Sequence, residues 1–156
     1  MPNASEFANE LELVITRVFN APRALVFAAW TEPEHLAHWS GPQGFTTPHS
    51  EMDVREGGKY RACLRSPQGE DHWVTGVYKA IEPPHRLVMT HAWEDEQGRP
   101  GPETLITITL SEDAPGKTRM HFRQTGFDSA PSRDGHGEGW TSSFDRLQTH
   151  LERRTA

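Results

Sequence analysis

Apolar residues recur with a period of two over most of the chain and with a period of 3.6 at its end, and this change of period marks out the elements. Leu11, Leu13, Ile15 and Phe19 alternate with Glu12, Thr16 and Val18, which predicts a first strand with one apolar face, stopped by Asn20-Ala21-Pro22. Pro22 suits a first helical turn, so residues 23–30 read as a short helix. Thr31-Glu32-Pro33-Glu34 then restarts a second short helix, with Thr31 as cap and Leu36 and Trp39 as its apolar residues, and Gly41-Pro42 ends it.

From residue 45 the spacing is that of hairpins. A polar edge strand is expected over 46–54. Residues 59–65 place Tyr60, Ala62 and Leu64 on one face and Arg61, Cys63 and Arg65 on the other. Further strands are expected over 72–82, over 87–93 with Leu87, Met89, His91 and Trp93 alternating, and over 104–110. The last strand sets Met120, Phe122 and Gln124 against Arg119, His121 and Arg123. Gly and Pro clusters supply the turns between them. A glycine-rich connection over 126–139 leads into a long helix within 134–154, where Trp140, Phe144, Leu147 and Leu151 form one stripe and Arg153-Arg154 sit at the negative end of the dipole.

Strands joined by turn-length links pair antiparallel, because parallel pairs need long crossovers. The expectation is an α+β domain over residues 10–154, preceded by an unpaired leader over 1–9. Two short helices follow strand one, and a curved antiparallel sheet of about seven strands grips the long C-terminal helix. Such a sheet leaves a space beneath the helix whose size depends on the inward side chains.

Composition narrows the function classes. Sixteen Lys and Arg against 22 Asp and Glu give a net charge of −6, which works against a nucleic-acid partner. The single cysteine, Cys63, allows no internal disulfide, fitting a cytoplasmic protein, and no run approaches the length of a membrane span. The first residues are neither basic nor apolar, so no signal peptide is read.

Candidate chemistry is sparse. His35 and His38, at i and i+3, could share a helix face, but no spacing supplies a third metal ligand, so neither metal nor cofactor is expected. His91 shares a strand face with apolar residues and is either a hydrogen-bonded core histidine or a pocket-lining group. His121 belongs to the polar side of its strand. Asp53, Arg55 and Gly57-Gly58 read as a turn with an ion pair, since no strand–loop–helix context makes them a phosphate loop. No Gly-x-Ser-x-Gly elbow is present, Cys63 is on the wrong face for a catalytic thiol, and no catalytic residue is assigned. The run Gly135-His136-Gly137-Glu138-Gly139-Trp140 is either a close-packing loop or the mouth of a pocket, with His136 and Glu138 at the rim, Trp140 inside and Trp39 opposite.

Several local runs resemble one family. They are Arg17-Val18-Phe19-Asn20-Ala21-Pro22, Ala29-Trp30-Thr31-Glu32-Pro33-Glu34, Trp39-Ser40-Gly41-Pro42, the stretch Asp53-Val54-Arg55-Glu56-Gly57-Gly58-Lys59-Tyr60-Arg61, Gly76-Val77-Tyr78, Pro83-Pro84-His85-Arg86-Leu87-Val88 and His136-Gly137-Glu138-Gly139-Trp140. In this order, over residues 11–152, they resemble the activator of heat-shock-protein-90 ATPase homologue-like family of the SRPBCC (START-like, helix-grip) superfamily. The resemblance implies a helix-grip fold with an internal cavity. Its scaffold serves carriers, receptors, cyclases and chaperone regulators, and a stress-response role belongs to the last of these. The favoured reading is non-catalytic binding of a small hydrophobic or amphipathic molecule. A chaperone ATPase regulator is the alternative, a cyclase- or hydrolase-like enzyme using His91 and a water is a third, and a homodimer stays open. The expected cavity walls are Trp39, Tyr60, Leu64, Tyr78, Met89, His91, Trp93, Ile108, Phe122, Gln124, Trp140 and Phe144, with Gln124 near the opening.

Overall fold

The computed structural model describes residues 11–155; the expected leader over residues 1–9 lies outside them. The elements run β1 (Leu13–Phe19), α1 (Arg23–Thr31), α2 (Pro33–Trp39), β2 (Thr46–Met52), β3 (Lys59–Arg65), β4 (Asp71–Glu82), β5 (Arg86–Trp93), β6 (Thr104–Ala114), β7 (Lys117–Thr125) and α3 (Ala130–Thr155). All seven strands join one antiparallel sheet in the order β1-β7-β6-β5-β4-β3-β2. The sheet is therefore a meander from β2 to β7, closed by β1 at the far edge. It curves around α3, giving the α+β helix-grip architecture expected from the hydrophobic pattern.

Helix α3 docks where its apolar stripe meets the sheet. Phe144, Leu147 and Leu151 are fully buried in one core with Phe19, Ile106, Ile108, Met120 and Phe122. Arg17 on β1 holds the helix from the side, donating to Asp145 at 2.8 Å and to Gln148 at 2.7 Å. The two short helices cover the remaining end. Trp39 is 1% exposed and donates its indole N–H to Ala29 O, tying α2 back onto α1. No helix among the described residues is long and apolar enough to cross a membrane.

Three local expectations are corrected. The glycine-rich connection over 126–139 is helical from Ala130, so α3 has 26 residues and Trp140 stands well inside it, not at its start. Ser129 Oγ caps the Ser132 N–H, and Pro131 suits a first turn. Helical glycine costs up to about 1 kcal/mol relative to Ala, but at residue 137 it permits a close approach: a Cβ there would lie 3.2 Å from Leu13 Cδ1. Second, Thr31 does not cap α2. It closes α1, its hydroxyl bonding back to Phe27 O, and Glu32 occupies the cap position with no side-chain bond. Third, Glu138 is exposed on the flank of α3 beside Leu13 and Ile15 and not at the rim of the space under the helix.

Gly76 on β4 answers a steric demand that no other residue meets. A Cβ there would lie 2.1 Å from Thr90 O and 2.5 Å from the Tyr60 ring and hydroxyl. The missing side chain lets Tyr60 lie across the sheet and donate to Thr90 O.

Candidate functional site

Two adjoining cavities open between the sheet and the helices. The larger, of about 440 Å³, lies under the first half of α3. Its walls are Pro131, Ser132, Gly135, His136, Gly139, Trp140 and Ser143 from the helix, Gly41, Pro42 and Phe45 from the link after α2, and Leu64, His72, His91 and Trp93 from β3, β4 and β5. The smaller, of about 110 Å³, runs deeper, among Trp30, Leu36 and Trp39 of the short helices and Tyr60, Val74, Tyr78 and Met89 of the sheet. Gly41, Leu64, His91 and Trp140 line both and form the partition between them.

Strand alternation delivers most of the sheet side of this wall. Tyr60 and Leu64 share a face of β3, and Met89, His91 and Trp93 share a face of β5. The residues expected in the walls fall into two sets. Trp39, Tyr60, Leu64, Tyr78, Met89, His91, Trp93 and Trp140 line a cavity. Ile108, Phe122, Gln124 and Phe144 line neither and are at most 1% exposed, so they are core. The first three lie on β6 and β7 beneath α1 and α3, and Phe144 faces them from α3; Trp30 fills the space between, its ring 6.3 Å from Phe122 and 6.0 Å from Phe144. Trp30 also separates Trp39 from Trp140, at 4.7 and 5.9 Å, so the two rings do not face each other across an open mouth.

Gln124 is a buried strut. Trp140 Nε1 donates to its Oε1 at 2.9 Å, its Nε2 donates to Thr104 Oγ1 at 2.8 Å, and that hydroxyl donates to His91 O at 3.1 Å. The indole N–H can only donate, and the threonine proton is already used, so the amide has one consistent orientation. The chain of bonds connects the two partition residues, Trp140 and His91, across three strands and the helix.

The histidines divide by their partners. His136 is used at both nitrogens, Nδ1 against Ser132 O at 2.7 Å and Nε2 accepting from Trp93 Nε1 at 3.0 Å. That assigns the proton to Nδ1 and locks the larger cavity's outer wall. His91 is 7% exposed, ringed by Trp93, His136 and Trp140, and its imidazole has no hydrogen bond to any other described residue. Burial, and secondarily His136, pushes its pKa down to about 3, so the ring is neutral. It is thus a pocket-lining group. His35 is buried and pairs with His150 at 2.8 Å, while His38 stacks on His150, which makes this trio the seam between α2 and α3. Among the described residues no group of three or more His, Cys, Asp or Glu is placed to hold a metal ion. Cys63 is buried, and desolvation followed by Asp71 raises its pKa, as befits an inert thiol. His121 is exposed beside Thr16, and Asp53 and Arg55 pair at 2.8 Å in an exposed turn.

Several wall residues gave no advance signal. Gly41, Pro42 and Phe45 sit in a non-periodic link, and Trp30 was one apolar residue in a run of them. Arg146 holds that link in place: it donates to Ser40 O at 2.8 Å, Gly41 O at 2.9 Å and Pro42 O at 3.2 Å, and its other amino group to His38 O. Trp30 Nε1 and Thr47 Oγ1 are sealed in the smaller cavity's wall without partners among the described residues.

Comparison with known proteins places this geometry. The model of the family described as Activator of Hsp90 ATPase homolog 1-like protein matches residues 20–152. Among solved structures, the AHSA1 protein from Silicibacter pomeroyi is 24% identical with a TM-score of 0.83, covering 92% of this chain and 99% of its own; at that identity it shows the fold alone. A protein from Chromobacterium violaceum is 27% identical (TM-score 0.77), covering 90% of this chain and 97% of its own. One from Arthrobacter aurescens is 25% identical (TM-score 0.84), covering 93% and 88%. A search of curated proteins finds no match.

Proposed function

The chain belongs to the family described as Activator of Hsp90 ATPase homolog 1-like protein, and from that premise we propose that it binds a small hydrophobic or amphipathic molecule in the joined cavities, without catalysis. The observation that carries the reading is the partition at His91. A buried, neutral imidazole with no hydrogen-bond partner among the described residues stands among aromatic walls, between a cavity of about 440 Å³ and one of about 110 Å³. Apolar walls with a few polar groups are the usual makeup of a small-molecule site. Catalysis is disfavoured because no described side chain orients His91, and a base whose pKa lies near 3 is weak at neutral pH.

Binding is tested with the neutral fluorescent probe N-phenyl-1-naphthylamine, followed by its own emission and by the tryptophans. Saturable binding is expected in the wild type. Leu64→Trp, which fills the junction of the two cavities, should abolish it while the far-ultraviolet dichroism stays native. A linear, unsaturable response that Leu64→Trp leaves unchanged would rule out the reading. Native mass spectrometry of freshly purified protein should also show a small molecule carried through purification.

A further inference from the structure

Resting on that reading, we propose that the joined cavities select an uncharged ring compound bearing a hydroxyl or carbonyl group over its carboxylate counterpart, and that Tyr78 and His91 are the two side chains that hydrogen-bond it. Both belong to the walls and both are more than nine-tenths buried: Tyr78 is 2% exposed and His91 7%. Neither the Tyr78 hydroxyl nor the His91 imidazole makes a hydrogen bond to another described residue. The other polar rings of the walls are mostly engaged. Tyr60 donates to Thr90 O, Trp39 to Ala29 O, Trp93 to His136 and Trp140 to Gln124. Buried polar groups are nearly always satisfied; Trp30 Nε1 and Thr47 Oγ1 of the same wall also lack partners among the described residues but are sealed from any ligand, so the Tyr78 hydroxyl and the His91 imidazole mark where a ligand's polar group belongs.

The charge of that group follows from what surrounds it. Among the described residues no Lys or Arg lines either cavity, and the one charged wall residue, Glu51, is exposed and engaged with His49 at 3.3 Å. A carboxylate entering here would lose its water and gain no counter-charge. The histidine does not supply one, since burial keeps it neutral. Burial likewise raises the Tyr78 pKa, so its hydroxyl keeps its proton. A phenol and a neutral imidazole each donate and accept, which complements a hydroxyl or carbonyl. The opposing influence is the first turn of α3, whose positive end borders the larger cavity at Pro131 and Ser132, although Ser129 Oγ already caps the Ser132 N–H. A matched carboxylate therefore decides between them.

The experiment is calorimetric titration at neutral pH with 2-naphthol, naphthalene and 2-naphthoate, on the wild type, Tyr78→Phe and His91→Phe. In the wild type 2-naphthol should bind tightest and 2-naphthoate at least about 100-fold more weakly. Each substitution should weaken 2-naphthol about three- to tenfold while changing naphthalene by less than about twofold. Tyr78→Phe removes one oxygen from a packed ring, so it decides alone if His91→Phe fails to fold. Naphthoate binding as tightly as naphthol would overturn the proposal, as would variants that shift naphthol and naphthalene equally. If none of the three ligands binds the wild type, the binding function itself falls, and this inference with it.

Discussion

Trp140 hands its side chain's only polar hydrogen to Gln124, at 2.9 Å, and so couples the wall of the cavity to β7 of the sheet. Gln124 is fully buried, although its place near the end of β7 suggests an opening. It is a strut inside the core and not a group at the opening. Gln124→Leu should cost about 1–3 kcal/mol, because it strands the indole N–H and removes a partner from Thr104. Urea unfolding would measure it, and a double-mutant cycle with Trp140→Phe should show coupling of at least about 0.5 kcal/mol. Independent, additive effects would mean that the bond contributes nothing.

Gly76→Ala should be among the most damaging single-methyl additions in the sheet. Its Cβ would meet a carbonyl oxygen at 2.1 Å and an aromatic ring at 2.5 Å. A loss of about 3 kcal/mol is expected, at the upper end of overpacking effects. Pairing it with Tyr60→Ala should recover only part of that loss, because the clash with Thr90 O belongs to the backbone. Full recovery would place the conflict in the ring alone.

The buried histidines set a pH dependence. In the folded chain His91 is held down to about 3 and His150 to about 4, the latter mainly by burial and then by His38 and His35, against an ordinary value near 6.5. Between those values the unfolded chain takes up protons that the folded chain refuses. Stability is therefore fully present above about pH 6.5 and declines as pH falls through 5 toward 4, with a slope of at most about 1.4 kcal/mol per pH unit for His91. Unfolding midpoints measured between pH 7.5 and 5, where most carboxylates stay ionised, should fall steadily. His91→Gln should flatten the decline, and an unaltered slope in that variant would show that His91 is not responsible.

Arg146 offers a test of how the mouth is held. Its guanidinium serves four carbonyls at the end of α2 and in the following link. Arg146→Lys keeps a charge but lacks the planar fork, so it should not rescue what Arg146→Met loses. Both variants should lower stability by about 1–3 kcal/mol. Both should also quicken amide exchange at Gln43 and Phe45, whose N–H groups in this link are held by Ser142 Oγ and Pro42 O. Native exchange rates there with the lysine variant would mean that charge alone suffices.

The order of elements, the strand faces and the antiparallel meander were all legible in the chain itself. They depend on period-two alternation and turn-length links, which are local properties. Tyr60 with Leu64, and Met89 with His91 and Trp93, were placed on their proper faces for that reason. The start of α3 was not legible, because Gly135, Gly137 and Gly139 oppose a helix locally and only the contact with Leu13 explains residue 137. Nor could alternation separate wall from core. Ile108 and Phe122 point inward just as Leu64 does, but Trp30 fills the space over them and leaves the space over Leu64 open. Gln124, His35 and His150 took their roles from partners between 16 and 115 residues away. The sequence alone determines which side chains turn inward, since strand geometry enforces it. Whether an inward side chain meets another side chain or empty volume is settled only when α1, α2 and α3 close over the sheet, because voids are properties of packing between elements and not of any one of them.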